Sequence, residues 1–122
     1  MGRALLALGA GLGCLGVALG AFGAHALKAR LSPDLATIYQ TGVQYHLVHA
    51  LAMVAVGLWL DRHPSNAAMA AGWLFAAGVV LFSGSLYALA LSGVRALGAV
   101  TPFGGVAFLA GWVALAWAAW RG

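Results

Sequence analysis

The sequence predicts an all-α integral membrane four-helix bundle that forms a single transmembrane domain, residues 1–122, with an interfacial segment between the first and second spans. Three observations predict this fold class. Hydrophobic residues make up 64% of the chain and charged residues only 7%, whereas a water-soluble domain has about 25% charged residues. The apolar residues form four runs, and a membrane-spanning helix needs about 20 such residues. In a chain of 122 residues, four spans leave only short connections.

The charged residues favour a lipid environment and argue against a nucleic-acid partner. The net charge is +4, but the six basic residues lie singly or in one pair and form no basic stripe. Basic residues at the ends of membrane spans lie among the lipid headgroups. The single cysteine, Cys14, lies in an apolar run and is expected to be a small packing residue. We therefore expect the lipid bilayer as a partner and no nucleic acid.

The first predicted span covers residues 4–24. It follows Arg3, as the core of a signal peptide would, but it is longer than such a core. Its glycines recur at alternating intervals of four and three residues. Glycines on one face let a second helix approach closely, and such contact is a main source of helix association in lipid. The glycines of this predicted packing face are Gly9, Gly13, Gly16, Gly20 and Gly23.

A polar segment, residues 25–40, precedes the second span and contains three of the eight charged residues. A helix is expected to begin inside this segment. Ser32 fits an N-cap, Pro33 fits the first helical position, and Asp34 suits the positive end of the helix dipole. The membrane-spanning part of this helix is predicted at residues 42–60.

The rest of the chain predicts two further spans, residues 67–91 and 103–120. A short polar turn that contains a proline, residues 61–66, makes the second and third spans antiparallel neighbours. Thr101 followed by Pro102 predicts an N-cap at the start of the fourth span.

Tryptophans and basic residues mark the two ends of the spans. If successive spans alternate in direction, four of the five tryptophans fall near one end as a partial aromatic belt. They are Trp59, Trp73, Trp117 and Trp120. Three basic residues flank each end, so their count does not select an orientation. Arg3, Arg62 and Arg121 flank the tryptophan end, and Lys28, Arg30 and Arg95 flank the other.

Polar side chains inside the predicted spans concentrate in the half of the bilayer opposite the tryptophans. A polar side chain in lipid is costly and is a candidate functional residue by default. Thr41, Tyr45 and His49 follow one another at intervals of four residues and share one helix face. The sequence therefore predicts a ligand-binding pocket in this half. Its candidate residues are His25, Thr41, Tyr45, His49, Ser83, Ser85, Tyr87 and Thr101.

The histidines offer an alternative, a metal or haem site. His46 and His49 lie three residues apart, and His25 is expected to approach from the first span, which gives a three-nitrogen set suited to zinc or copper. No HExxH or CxxC motif accompanies them, so the sequence assigns no cofactor. The competing interpretation is structural, with His49 bonded to Ser83, Tyr87 or a backbone carbonyl across the bundle.

The residues required for acid-dependent transport and for the common enzyme motifs are missing from the predicted spans. Both acidic residues, Asp34 and Asp61, lie outside the predicted spans. Small four-helix exporters of cationic drugs depend on an embedded acid, so the sequence argues against this kind of transport and leaves open a proton relay through histidines. Walker, dinucleotide-binding and nucleophile-elbow motifs are also missing from the sequence. We therefore expect a protein that is not an enzyme.

Four sequence blocks resemble one bacterial family. The blocks are GAFGAHAL at 20–27, TGVQYHLVHALA at 41–52, LFSGSLYALALSG at 81–93 and TPFGGVAFLAGW at 101–112. Together they resemble the YgdD-like family of inner-membrane proteins, domain of unknown function four-two-three, and more distantly a small eukaryotic transmembrane family. The resemblance implies a small multi-pass protein of the bacterial inner (cytoplasmic) membrane without an established activity.

Three functional hypotheses follow. In the first, a non-enzymatic protein acts as an oligomer, or as an accessory or scaffold subunit with another membrane protein, through the glycine face of the first span. In the second, the polar pocket binds a small ligand, a metal ion or haem. In the third, an oligomer forms a transporter or channel.

Overall fold

The computed structural model describes residues 2–121 and confirms the all-α fold with four long apolar helices. We call these helices the first to fourth spans. They cover Gly2–Leu27, Pro33–Leu60, Asn66–Ser92 and Arg95–Arg121. The predicted spans lie inside these helices, because apolar composition marks only the part in the hydrocarbon whereas the backbone hydrogen bonds continue to the capping residues.

Three of the spans combine an α-helix with a short segment of different winding. The first consists of α1 (Gly2–Phe22) and a π-helical segment, Gly23–Leu27, and the second is α2 (Pro33–Leu60). The third contains α3 (Asn66–Gly78), a π-helical segment, Val79–Ser83, and α4 (Gly84–Ser92). The fourth contains a 3-10 segment, Arg95–Ala99, and α5 (Thr101–Arg121).

Successive spans run antiparallel, so the bundle has two distinct ends. Gly2 lies against Gly57, and Gly23 lies against Tyr39. The terminal end contains the first and last described residues and the turn at 61–65. The loop end contains the connections at 28–32 and 93–94.

The start of α2 has the predicted capping residues. The Ser32 hydroxyl accepts a hydrogen bond from the backbone N–H of Leu35 at 3.2 Å, and Pro33 opens the helix. The interfacial segment is shorter than predicted, because the first span stays helical through Leu27. Asp34 forms an ion pair with Arg95 at 2.5 Å, which joins the two connections at the loop end.

The predicted cap at Thr101 is wrong. Thr101 is the first residue of α5 and follows directly on a 3-10 segment. Its hydroxyl lies 2.6 Å from the Ser85 hydroxyl, so it joins α5 to α4. The chain changes direction earlier, at Gly93, whose φ of +75° is a left-handed conformation that glycine adopts without strain.

The first span packs on the second through buried glycines at every seventh position. These are Gly2, Gly9, Gly16 and Gly23. A Cβ atom at Gly9 would lie 2.9 Å from the carbonyl oxygen of Ala50, so the two backbones meet there. The predicted glycine face is therefore correct at four of its five positions, which include Gly20, where a Cβ atom would lie 3.2 Å from Val43. Gly13 is the exception, because no atom lies within 4 Å of a Cβ there. Residues seven apart lie about 20° from each other around the helix, whereas residues four apart are offset by about 40°, so Gly13 and Gly20 lie along the edge of the face.

The fourth span packs on the third in the same way. Gly104, Gly111 and Ala118 recur at every seventh position and are buried. A Cβ atom at Gly111 would lie 2.7 Å from the Phe75 ring. The second span is half buried, more than any other, and it lines both the apolar core around Met53 and Phe75 and a smaller core near the loop end.

Candidate functional site

The buried polar side chains lie in the loop-end half of the bundle, where α2 meets the other three spans. His46, His49, Ser83 and Ser85 are buried. Within residues 2–121, every buried side-chain nitrogen and oxygen has a hydrogen-bond partner. The polar half is therefore a connected part of the packed interior.

His46 links the first span to the third. Its Nε2 lies 2.7 Å from the Leu12 carbonyl oxygen, and its Nδ1 lies 2.9 Å from the Tyr87 hydroxyl. A carbonyl can only accept, so Nε2 carries the proton and donates to Leu12, while Nδ1 accepts from Tyr87. His46 is thus held as a neutral imidazole by partners on two other spans.

Two tyrosines extend this link toward the loop end. The rings of Tyr87 and Tyr39 lie with their centroids 5.3 Å apart. The buried Tyr39 hydroxyl donates to the Leu19 carbonyl oxygen at 2.5 Å. The first span is therefore bonded twice through its carbonyls, at Leu12 and at Leu19.

His49 links the second span to the fourth and has the opposite tautomer. Its Nδ1 donates to the Tyr45 carbonyl at 2.8 Å, and its Nε2 accepts from the indole N–H of Trp112 at 3.0 Å. Its ring stacks on Phe108 with the centroids 3.6 Å apart. Neither Ser83 nor Tyr87, the predicted side-chain partners, bonds to it, and the carbonyl that it does bond is on its own helix.

The serines bind the third span to its neighbours. Ser83 is fully buried and donates to the Gly42 carbonyl on α2 at 2.7 Å. Ser85 bonds to Thr101 on α5. Ser83 ends the π-helical segment Val79–Ser83, where the wider winding shifts the register of the residues that follow. Ser83 and Ser85 on the third span therefore bond to different helices, α2 and α5.

Three predicted site residues do not join these contacts. Thr41 donates to the Thr37 carbonyl on its own helix at 3.0 Å. His25 is exposed in the last turn of the first span. Tyr45 is 41% exposed and faces the side of the bundle. The single pocket predicted from the sequence is therefore divided into a buried hydrogen-bond network and a lateral surface at Tyr45, and the two meet at His49.

The three-histidine metal set proposed from the sequence is not assembled. Within residues 2–121, no three His, Cys, Asp or Glu side chains are grouped so that they could hold a metal ion. His46 contacts the first span at Leu12, and His25 lies 13 residues further along it, roughly 20 Å at the α-helical rise. The lone pairs of His46 Nδ1 and His49 Nε2 already accept hydrogen bonds from Tyr87 and Trp112. A metal ion or haem iron would have to displace one of these donors.

A lateral cleft of about 480 Å³ opens toward the lipid between the second and fourth spans. Its volume lies in the range of small-molecule sites, about 300–1,000 Å³. The His49–Trp112 bond forms its inner wall, and the Tyr45 ring packs on Phe82 with the centroids 4.6 Å apart. The lining residues are Tyr45, His49, Phe82, Pro102, Gly105, Val106, Phe108, Leu109 and Trp112.

Sequence reasoning did not select Trp112, Phe108 or Tyr39 as polar-site partners. The one available signal was the spacing of Gly104, Phe108, Gly111 and Trp112, which places them on one face of α5. Composition does not reveal that this face turns toward α2. The aromatic partners of the histidines therefore required the structure.

Comparisons with known proteins point to bacterial membrane proteins. The family DUF423, described as a protein of unknown function, matches residues 19–105. The UPF0382 membrane protein YwdK of Bacillus subtilis is 44% identical over 118 residues, 96% of each chain. The UPF0382 inner membrane protein YgdD of Escherichia coli is 44% identical over 110 residues, 90% of this chain and 84% of YgdD. No solved structure matches the chain.

Proposed function

We propose that this protein, which belongs to the DUF423 family of multi-pass bacterial inner-membrane proteins without an established activity, is non-enzymatic and self-associates in the bilayer. The observation that carries this proposal is a second small-residue face on the first span. The inner face, with its glycines at every seventh position, is occupied by α2.

The second face, which we call the outer stripe, runs along the opposite side of α1. Six small residues recur there at alternating intervals of three and four, and all six are exposed. The larger exposed side chains of Leu8, Leu15 and Phe22 follow one edge of it. The outer stripe consists of Ala4, Ala7, Gly11, Cys14, Ala18 and Ala21.

The physics of lipid favours contact through such a face. Lipid tails are as apolar as leucine side chains, so helices gain from van der Waals contact and close backbone approach. Intervals that alternate between three and four average 3.5 residues, the repeat of a left-handed helix pair. The outer stripe therefore has the geometry of a helix-pairing seam.

The surface proposed for self-association differs from the one that the sequence suggested, which was the glycine face of the first span. Gly9, Gly16 and Gly23 pack within the chain, so they support the monomer. The outer stripe, which is richer in alanine, is the face left for a second copy.

Self-association through one face implies a two-fold symmetric dimer. In such an interface the same patch meets itself. With both copies inserted in the same direction, the symmetry axis is the membrane normal and equal residues meet at equal depth. Cys14 lies near the middle of the outer stripe and comes to face Cys14 of the second copy.

The polar half supports a non-enzymatic role. Both buried imidazoles are neutral, and each ring nitrogen is engaged. A general base needs a free lone pair within reach of a substrate proton. The network instead joins the first, third and fourth spans to α2.

Subunit counting in lipid vesicles tests self-association. We expect single-molecule photobleaching to find dimers of the full chain that persist as the protein is diluted in lipid. Ala18→Leu places a bulky side chain on the outer stripe and should weaken the dimer about tenfold, the effect of losing ~1.4 kcal/mol of contact. Ala10→Leu makes the same change at an exposed position off the stripe and should leave the dimer unchanged. Monomeric wild-type protein, or equal effects of the two variants, would contradict the proposal.

The lateral cleft supports a second candidate function, binding of a membrane-dissolved molecule with an apolar body and one hydrogen-bonding group. The exposed Tyr45 side chain is its polar element, and aromatic rings form most of its walls. A fatty alcohol brominated in its chain should quench Trp112 fluorescence, measured as the difference from Trp112→Phe. Gly105→Phe fills the cleft and should abolish this quenching, and Val113→Phe, a change at an exposed position outside the cleft lining, should not. Equal quenching in all of these proteins would exclude this candidate.

A further inference from the structure

A basic and aromatic cavity of about 590 Å³ opens at the terminal end, at the far side of the bundle from the polar network. Four pieces of chain enclose it: the last turn of α2, the turn at 61–65, the first turn of α3 and the end of α5. Its lining includes Arg62, His63 and Arg121 at the rim, and Ala118 is a buried residue at its base.

The charge of this cavity is positive. Arg62 in the turn at 61–65 and Arg121 at the end of the fourth span bring two guanidinium groups to it. Among the described residues neither carboxylate lines it: Asp34 pairs with Arg95 at the loop end, and Asp61 lines a separate cavity with Gly2 and Leu60. The positive end of the α3 dipole faces the same space, because Ser65 at the cavity wall is the N-cap of that helix.

Aromatic rings pack against two of the side chains at the rim of the cavity. The Arg121 guanidinium carbon lies 5.5 Å from the centre of the Trp117 ring, within cation–π range. His63 stacks on Trp59 with the ring centroids 4.7 Å apart. Tryptophans at the ends of spans lie at the level of the lipid headgroups. The cavity therefore combines cationic groups with an interfacial aromatic wall.

We propose that this cavity binds the phosphodiester headgroup of an anionic phospholipid between Arg62 and Arg121. Guanidinium groups match phosphate oxygens in a bidentate fork, and basic pockets between membrane spans bind anionic headgroups. The exposed Trp117 ring and the apolar base around Ala118 suit the glycerol ester region below the phosphate. The site is independent of the proposed self-association, because no residue of the outer stripe lines it.

Native mass spectrometry of the full chain tests the site. The protein is titrated with phosphatidylglycerol and with phosphatidylcholine of the same acyl chains. We expect tighter binding of phosphatidylglycerol, and a loss of roughly 30-fold in Arg62→Gln/Arg121→Gln, from the usual contribution of two basic residues at a membrane surface. Arg3→Gln/Arg30→Gln removes the same total charge outside the cavity and should change the binding less than threefold.

The result that overturns the proposal is an equal loss in the control pair, or equal binding of the two lipids. Displacement of phosphatidylglycerol by inorganic phosphate at matched concentration would assign the cavity to a free anion instead. Arg62→Lys/Arg121→Lys keeps the charge but not the bidentate fork, and it should retain an intermediate affinity.

A second measurement needs only the wild-type chain. Phosphatidylglycerol brominated next to its glycerol should quench tryptophan fluorescence more than phosphatidylcholine brominated at the same position, because Trp59 and Trp117 border the cavity. Equal quenching by the two lipids would overturn the proposal even if the arginine variants failed to fold.

Discussion

The two halves of this bundle hold the same four helices together by different means. In the loop-end half, directional hydrogen bonds join α2 to each of its neighbours, through His46, His49 and Ser83. Glycine lets the backbones meet in both halves, as at Gly9 beside Ala50 and at Gly104 beside Phe82. Within residues 2–121 every side-chain hydrogen bond between two spans lies in the loop-end half, so the terminal-end half is held by packing. Hydrogen bonds fix the rotation of each helix, whereas small residues fix only how closely two helices lie.

This difference locates where the protein can interact. Within residues 2–121 the buried polar atoms of that half are hydrogen-bonded inside the chain, so its histidines and serines are already engaged. Small-residue packing can be repeated on any exposed face, and the outer stripe repeats it on α1. Each substitution below weakens either the small-residue packing or one hydrogen bond, so the losses of stability measure the two kinds of contact separately.

The largest effect is expected where two backbones meet. Gly9→Val drives a branched side chain into the Ala50 carbonyl and should lower the free energy of unfolding by about 3 kcal/mol. Unfolding in mixed micelles, followed by circular dichroism, measures this loss. Gly13→Val makes the same change on the same helix where no atom lies within 4 Å of a Cβ. Similar losses in both variants would refute the assignment of the packing face.

The next effect concerns the hydrogen bond between the second and third spans, which joins His46 to Tyr87. A double-mutant cycle of His46→Phe and Tyr87→Phe should give a coupling energy of about 1 kcal/mol, since such bonds between membrane helices are worth roughly 0.6–1.7 kcal/mol. A coupling energy near zero would mean that the bond between Nδ1 and the Tyr87 hydroxyl does not stabilise the fold.

A somewhat smaller loss is expected for the bond between the second and fourth spans. Trp112→Phe keeps an aromatic ring but removes the N–H that His49 accepts, at a cost of about 1 kcal/mol or less. Trp117→Phe, at an exposed ring outside the network, is the matched control and should be neutral. The same unfolding assay compares the two variants, and an equal cost for both would remove Trp112 from the network.

The smallest effect is expected at the surface. Asp34 and Arg95 are joined at 2.5 Å, but about two-thirds of each side chain is exposed, and exposed ion pairs contribute about 0–1 kcal/mol. The cycle of Asp34→Asn and Arg95→Gln should therefore give a coupling of about 0.5 kcal/mol or less that shrinks as salt is added. A larger coupling that persists in high salt would show that this pair matters as much as the buried bonds.

Composition and local signals were sufficient for the fold. The apolar runs predicted four helices because every backbone polar group in lipid must be satisfied within a span, and Ser32 with Pro33 marked the start of α2. The spacing of the glycines located the packing face of α1 and four of its five predicted members. Gly13 has the right spacing in sequence and the wrong direction in space.

The candidate site was predictable only as a region. A polar side chain that faces lipid is costly, so the polar residues of the spans were expected inside the bundle. Their positions along the spans placed them in one half of the bilayer. The partners of each imidazole depend on how each helix is rotated about its axis, and that rotation is set by packing across three other spans. For this reason His46 bonds Tyr87 and His49 bonds Trp112, whereas His25 remains at the surface.

The most direct test of the account is oxidative crosslinking of the single cysteine in native membranes. With copper–phenanthroline as the oxidant, Cys14 of one copy should form a disulfide with Cys14 of a second copy and give a covalent dimer. Transfer of the thiol to the neighbouring face, in Cys14→Ala/Ala10→Cys, should abolish it. A covalent dimer of equal yield from both positions, or none from either, would contradict self-association through the outer stripe.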